Sequence, residues 1–168
     1  TSPPQTLSFT TTPPQIQQQF LQHLDHLHPA LRANIGELSN LHNLRIIAQY
    51  LTQDQLIGVS DASVQDHFGA HAYILESTNT TYNITGEAPV WTDVDDMTIN
   101  RAEGCGVIAM AQLITSIALF FDLQPTTIRL YCDNNKQGSS MNRKLCFLAA
   151  CILGSSLTAN AAEQSPLL

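Results

Sequence analysis

Leu56-Ile57-Gly58-Val59-Ser60-Asp61-Ala62-Ser63 is a short apolar run that stops on a single carboxylate. Four to eight apolar residues bounded by small polar ones read as a buried central strand. A strand covered on both faces cannot hold a charge in its middle without a large desolvation penalty. Asp61 is therefore expected at the strand's end, where it meets a metal, a cation or a helix terminus. The alternative is that Asp61 caps the turn after the strand. Two further acids stand in comparable contexts downstream: Glu103 near the start of a long helical pattern, and Asp133 closing another apolar run.

Working outward from this strand, residues 69–75 predict a second strand, led by Gly69, and residues 80–85 a third. The connections through Gln65-Asp66-His67 and Ser77-Thr78-Asn79 are short, which implies an antiparallel meander. Residues 86–97 read as a loop. Its acids Asp93, Asp95 and Asp96 lack the glycine and distal glutamate of a calcium loop, so they read as a solvated turn. Residues 100–122 form the longest helix, apolar almost all round, which predicts burial against a sheet on one side and other structure on the other. Pro125 separates it from a fourth strand, 128–133, and Ser139 or Ser140 is expected to cap a last helix running through 145–153.

Upstream, residues 1–14 are rich in Pro, Thr and Ser and read as an extended linker. Ile16, Phe20, Leu24, Leu27 and Leu31 recur at helical spacing, with Pro29 expected to end or kink that helix. Leu38, Leu41, Leu44, Ile47 and Leu51 mark a second helical stretch. The expected organisation is a linker and helical extension over 1–55, followed by one α/β domain over 56–168. His23 and His26 share a helix face, but no ligand pair follows at zinc spacing. His67 and His71, four apart on a strand, are too far separated to chelate.

With 14 acidic and seven basic residues, the chain carries a formal charge of -7, which argues against broad phosphate binding. The four cysteines show no C-x-x-C spacing and read as reduced core residues. No run of about 18 apolar residues occurs, so no membrane span is expected and an intracellular setting, cytoplasmic or nuclear, is favoured. A first residue of Thr1 suggests a piece of a longer chain.

A helical crossover from the third strand to the fourth is long enough to set the fourth parallel to the first. As neighbours, those strands would direct Asp61 and Asp133 from one edge, and the helix packed over them would bring Glu103 to the same place. Three convergent carboxylates require a cation. Oxygen donors without Cys or His suit Mg²⁺ or Mn²⁺. For Glu103 the competing account is a capping box, Asn100-x-x-Glu103, in which the acid reaches back to the cap amide.

These residues resemble ribonuclease H, in particular the ribonuclease H domain of retroelement reverse transcriptases. Gly58-Val59-Ser60-Asp61-Ala62-Ser63 resembles that family's first strand with its metal-binding Asp. Thr98-Ile99-Asn100-Arg101-Ala102-Glu103 is similar to its T-N-x-R-x-E helix start, with Ile99 replacing a polar residue. Leu130-Tyr131-Cys132-Asp133-Asn134 looks like its fourth strand, with Asn134 where Ser is common. The resemblance covers about residues 56–155. It implies a ribonuclease H-like mixed sheet: three antiparallel strands, then a helix and a parallel strand. It also implies two Mg²⁺ (or Mn²⁺) ions held by Asp61, Glu103 and Asp133, and hydrolysis of the RNA strand of RNA–DNA hybrids. Thr98, Asn100 and Arg101 would touch the hybrid's backbone through the minor groove, where the 2′-hydroxyl marks RNA. A polymerase domain is the expected neighbour in the parent chain. The family's fourth acid has no counterpart, since Glu163 is the only acid beyond Asp133 and is not assigned. The chain is therefore expected to stop before the fifth strand and last helix. Two rivals share the fold: a transposase- or integrase-type nuclease, and a degenerate module that braces a polymerase without binding metal.

Overall fold

The computed structural model describes residues 10–124, 128–132 and 144–146. It opens with two helices, α1 (Pro14–Leu24) and α2 (Pro29–Ile35), each led by a proline. Proline is well placed there, because the first amides of a helix have no intrahelical acceptor and the fixed φ suits the first turn. Pro29 thus starts a helix where the sequence pattern predicted the end of one, and the His28 ring accepts from the Ala30 amide at 3.3 Å to cap it. Gly36 ends α2 with φ 74° and ψ -151°, a conformation open almost only to glycine. That turn delivers Glu37–Ser39 to a sheet as the short strand β1. Leu38, expected in a helix, therefore lies in a strand, and the helix α3 begins only at Leu44 and runs to Thr52.

The remaining strands are β2 (Leu56–Gln65), β3 (Phe68–Ser77), β4 (Asn83–Val90), β5 (Arg129–Cys132) and β6 (Lys144–Cys146), with α4 (Ile99–Phe120) crossing over between β4 and β5. They form one mixed sheet in the order β1-β4-β3-β2-β5-β6. As expected, β2, β3 and β4 make an antiparallel meander and β5 runs parallel to β2. Asp66 and His67, at φ 48° and 67°, form the two-residue turn that matches the twist of a hairpin. His67 is thus in the turn, not on a strand with His71. Two differences follow from pairing that sequence alone does not reveal. The third strand continues to Val90, through residues read as loop. Its Pro89 is tolerated because β1 pairs only with residues 85–87 and leaves the rest of β4 as an edge. At the other edge, β6 pairs antiparallel with β5 where a helix was predicted; residues 147–153 lie outside the described set.

One side of the sheet, the helix side, carries the buried Leu56, Gly58 and Ser60 of β2, Tyr73 and Leu75 of β3, and Ile84 of β4; α4 covers β2 and β3 there, while α2 and α3 lie against β4. Gly58 has no room for a side chain: a methyl there would press on Leu130 and come within 3.1 Å of the Met110 sulfur. α4 is long and apolar enough by length and composition to cross a membrane, with a mean hydropathy of 1.6. Half of its apolar stretch is buried inside this fold, the pattern of a helix that covers a sheet. Phe20, Leu24, Ile35, Leu44 and Ile47 join Leu75, Leu113 and Ile117 in one core, so α1 to α3 pack with the sheet instead of extending from it.

The buried Tyr73 hydroxyl donates to the Ile35 carbonyl at 2.7 Å, tying β3 to the end of α2. Burial also pushes the Tyr73 phenol well above its ordinary range. Tyr73→Phe removes the donor and leaves that carbonyl dry. It is expected to lower the unfolding free energy by about 1–3 kcal/mol, read from urea titration.

Candidate functional site

Alternation along β2 decides where Asp61 points. Ser60 is buried beneath α4, and the β2–β3 register runs unbroken from Leu56↔Ser77 to Gln65↔Phe68. With no bulge, the next side chain leaves the opposite side of the sheet. Asp61 is accordingly exposed on the open side, and its Oδ1 accepts from the Ala62 amide at 2.8 Å. It is not the last residue of the strand, as the sequence predicted, but the sixth of ten. The charge is accommodated because only one face of the strand is covered at this point. On the other flank, the described pairing of β5 with β2 ends at Cys132↔Ser60, so Asp61 follows the last described rung.

α4 runs antiparallel to β2 on the helix side. A methyl added at Gly106 would lie 3.2 Å from the Ser60 Cβ and 3.3 Å from the His71 Cβ, while Met110 lies over Gly58. At the helix's start Met97 is packed on Gly69. Glu103 falls between these contacts, alongside the part of β2 that follows Ser60, and is 8% exposed. Asp61 and Glu103 thus stand at one level of β2, Asp61 on the open side of the sheet and Glu103 in the helix that covers the other side. Asp133 lies outside the described residues. Among the described residues no group of three or more Asp, Glu, His or Cys could hold one metal ion.

The helix start corrects another reading. Thr98 is the N-cap, and its hydroxyl accepts from the Arg101 amide at 3.2 Å. A capping-box acid belongs three residues after the cap, at the position of Arg101, so Glu103 is not its partner. Thr98 and Asn100 are exposed at this terminus. Arg101 turns back to the preceding loop, where its guanidinium donates to the Thr92 hydroxyl and lies 3.7 Å from Asp96.

One polar pair escaped the sequence reading. Ser60 and His71, each 2% exposed, sit under Gly106, and neither the Ser60 hydroxyl nor either ring nitrogen of His71 has a hydrogen-bond partner among the described residues. The available signal was a polar residue at an inward position of each alternating strand. Burial pushes the His71 pKa below its ordinary value. The unfolded chain then binds the proton more tightly, so the contribution is full above about pH 6.5 and is lost as pH falls toward the lower folded value. His23 is shifted the same way, by burial and then by His26 beside it. Thermal melts are expected to show stability falling between pH 7 and pH 5, and His71→Phe is expected to flatten that slope.

No protein-family model, curated protein or solved structure matches this chain.

Proposed function

We propose that this chain is a ribonuclease H-like, metal-dependent endonuclease that hydrolyses the RNA strand of RNA–DNA hybrids, as one module of a retroelement reverse transcriptase. The observation that carries the reading is the strand order. An antiparallel meander, a crossover helix and a strand parallel to the first set Ser60 beside Cys132, and the next residue in sequence after each is an aspartate. Asp61, Glu103 and Asp133 are the ligands proposed for the metal, and they offer only hard oxygen donors. Two of them, Asp61 and Glu103, stand at one level of β2. When bound, Mg²⁺ or Mn²⁺ supplies an activated water and stabilises the leaving oxygen at a phosphodiester. Thr98 and Asn100, exposed at the start of α4, are free to meet the sugar–phosphate backbone of a hybrid. Arg101, held by Thr92 and Asp96, fixes the loop beside them.

A second reading, a non-catalytic module that braces a polymerase, draws its support from the place of Asp61 on the open side of the sheet, away from the side that α4 and its Glu103 cover. An end-labelled RNA–DNA hybrid separates the two. The nuclease reading expects cleavage of the RNA strand alone, weak in Mg²⁺ and stronger in Mn²⁺, because Mg²⁺ demands near-ideal octahedral ligation. A folded protein that cleaves in neither metal supports the bracing module.

A further inference from the structure

Two polar side chains are enclosed beneath α4 with nothing to bond to. Ser60 of β2 and His71 of β3 are each 2% exposed. The Ser60 hydroxyl and both ring nitrogens of His71 have no hydrogen-bond partner among the described residues. Folding strips such groups of the water that bonded them in the unfolded chain, and native proteins pair almost all of them with protein or with ordered water.

The sheet sets the two side chains together. Ser60 pairs with Tyr73 and Ala62 with His71, so Ser60 and His71 are diagonal neighbours on the covered side. Both Cβ atoms lie within 3.3 Å of one point, the place a Cβ would take on Gly106 of α4. The glycines of this fold differ at that place. At Gly36, Gly58, Gly69 and Gly86 an added methyl would collide with backbone or side-chain atoms. At Gly106 the nearest atoms are 3.2–3.4 Å away, and one of them is the Ser60 Oγ. Space of nearly methyl size is thus left beside the Ser60 hydroxyl and the root of the His71 side chain, and a water molecule is about that size. An apolar lining keeps such a space dry; a hydroxyl and an imidazole hydrate it.

We propose that one internal water is bound beneath Gly106, bridging the Ser60 hydroxyl and a ring nitrogen of His71. A neutral imidazole offers one N–H and one bare nitrogen, and a hydroxyl both donates and accepts, so the water finds its partners in either tautomer. A metal ion is a poor occupant, because among the described residues no three His, Cys, Asp or Glu side chains gather around one point. The water joins β2 to β3 at the place where α4 lies closest to them. The inference does not rest on the nuclease reading: it needs neither Asp61 nor Glu103.

Oxygen-17 relaxation dispersion of the full chain counts waters that stay bound longer than the protein takes to tumble, and it is blind to hydroxyl protons. The wild type is expected to exceed Gly106→Ala, whose methyl takes the space, by about one such water. It is expected to exceed the double variant Ser60→Ala, His71→Phe by the same amount, with circular dichroism checking that each variant is folded. Thermal melts supply a second readout. Removing a hydroxyl that has no partner would raise the melting temperature, whereas a bridged hydroxyl contributes a bond. Ser60→Ala is therefore expected to lower the melting temperature by about 2–4 °C. The proposal is overturned by equal dispersion in the wild type and either folded variant, or by a Ser60→Ala variant that melts at or above the wild-type temperature.

Discussion

Asp61→Asn is expected to reduce Mn²⁺-dependent cleavage of an RNA–DNA hybrid by about 10²–10³-fold, the scale of losing one group that stabilises charge in a transition state. The substitution keeps the shape of the side chain and removes its charge. It sits on the open side of β2, exposed, where its Oδ1 accepts a hydrogen bond from the Ala62 amide. An amide oxygen still accepts that bond, so unfolding free energy should change by no more than about 0.5 kcal/mol. The combination of a large kinetic loss with unchanged stability is what distinguishes a metal ligand from a structural cap. Loss of several kcal/mol of stability, with cleavage otherwise intact, would assign Asp61 to structure. Glu103→Gln is expected to lose a comparable factor in cleavage, with a larger effect on stability because that carboxyl is buried.

Gly36→Ala is expected to be the most damaging single substitution for the fold. At φ 74° and ψ -151° an alanine is strained whatever surrounds it, and here its methyl would collide with the Glu87 backbone carbonyl and the Ala88 side chain. Neither obstacle is the flexible tip of a long side chain, so β4 or β1 has to move. The expected loss is about 3 kcal/mol or more. For a domain of this size that lowers the melting temperature by about 6–12 °C. Gly104 is the control. It lies inside α4 with open space around the position of a Cβ, so Gly104→Ala should stabilise by about 0.5–1 kcal/mol. Equal effects at the two glycines in thermal melts would show that the turn after α2 is not the constraint described here.

The two hairpin strands and the crossover helix were legible because their signals are local. β2 and β3 alternate inward and outward around a two-residue turn, and α4 is apolar over many turns. What misled the reading depends on partners far away in sequence. Asp61 looked like the end of a strand, because nothing in residues 56–65 tells that one side of the sheet stays open beyond Ser60. Pro29 in a helical pattern signals an end or a kink, although the same ring serves equally well at the first position of a helix, where it stands in α2. Leu38 fell on a helical period shared with Leu41 and Leu44, yet the Gly36 turn and pairing with Gly86 draw it into the sheet edge. Lys144-Leu145-Cys146 is a three-residue strand that exists through its pairing with β5, and three residues carry no period of their own. In the candidate site, the types and chain order of Asp61 and Glu103 could be read from the sequence. Their placement on different sides of the sheet could not, since it rests on the register of β2 and on the Gly106 contact that fixes how close α4 lies.

The proposed nuclease function requires a divalent ion bound through Asp61 and Glu103, which the register of β2 sets on different sides of the sheet, and a thermal melt of the full chain over increasing Mn²⁺ tests that requirement without relying on turnover. A ligand that binds only the folded state stabilises it by RT ln(1 + [L]/Kd), about 2.7 kcal/mol at a hundredfold excess over Kd. The account predicts a melting temperature that climbs with Mn²⁺ in the wild type and stays flat in both Asp61→Asn and Glu103→Gln. A wild-type midpoint indifferent to Mn²⁺, or variants that climb as steeply as the wild type, would contradict it.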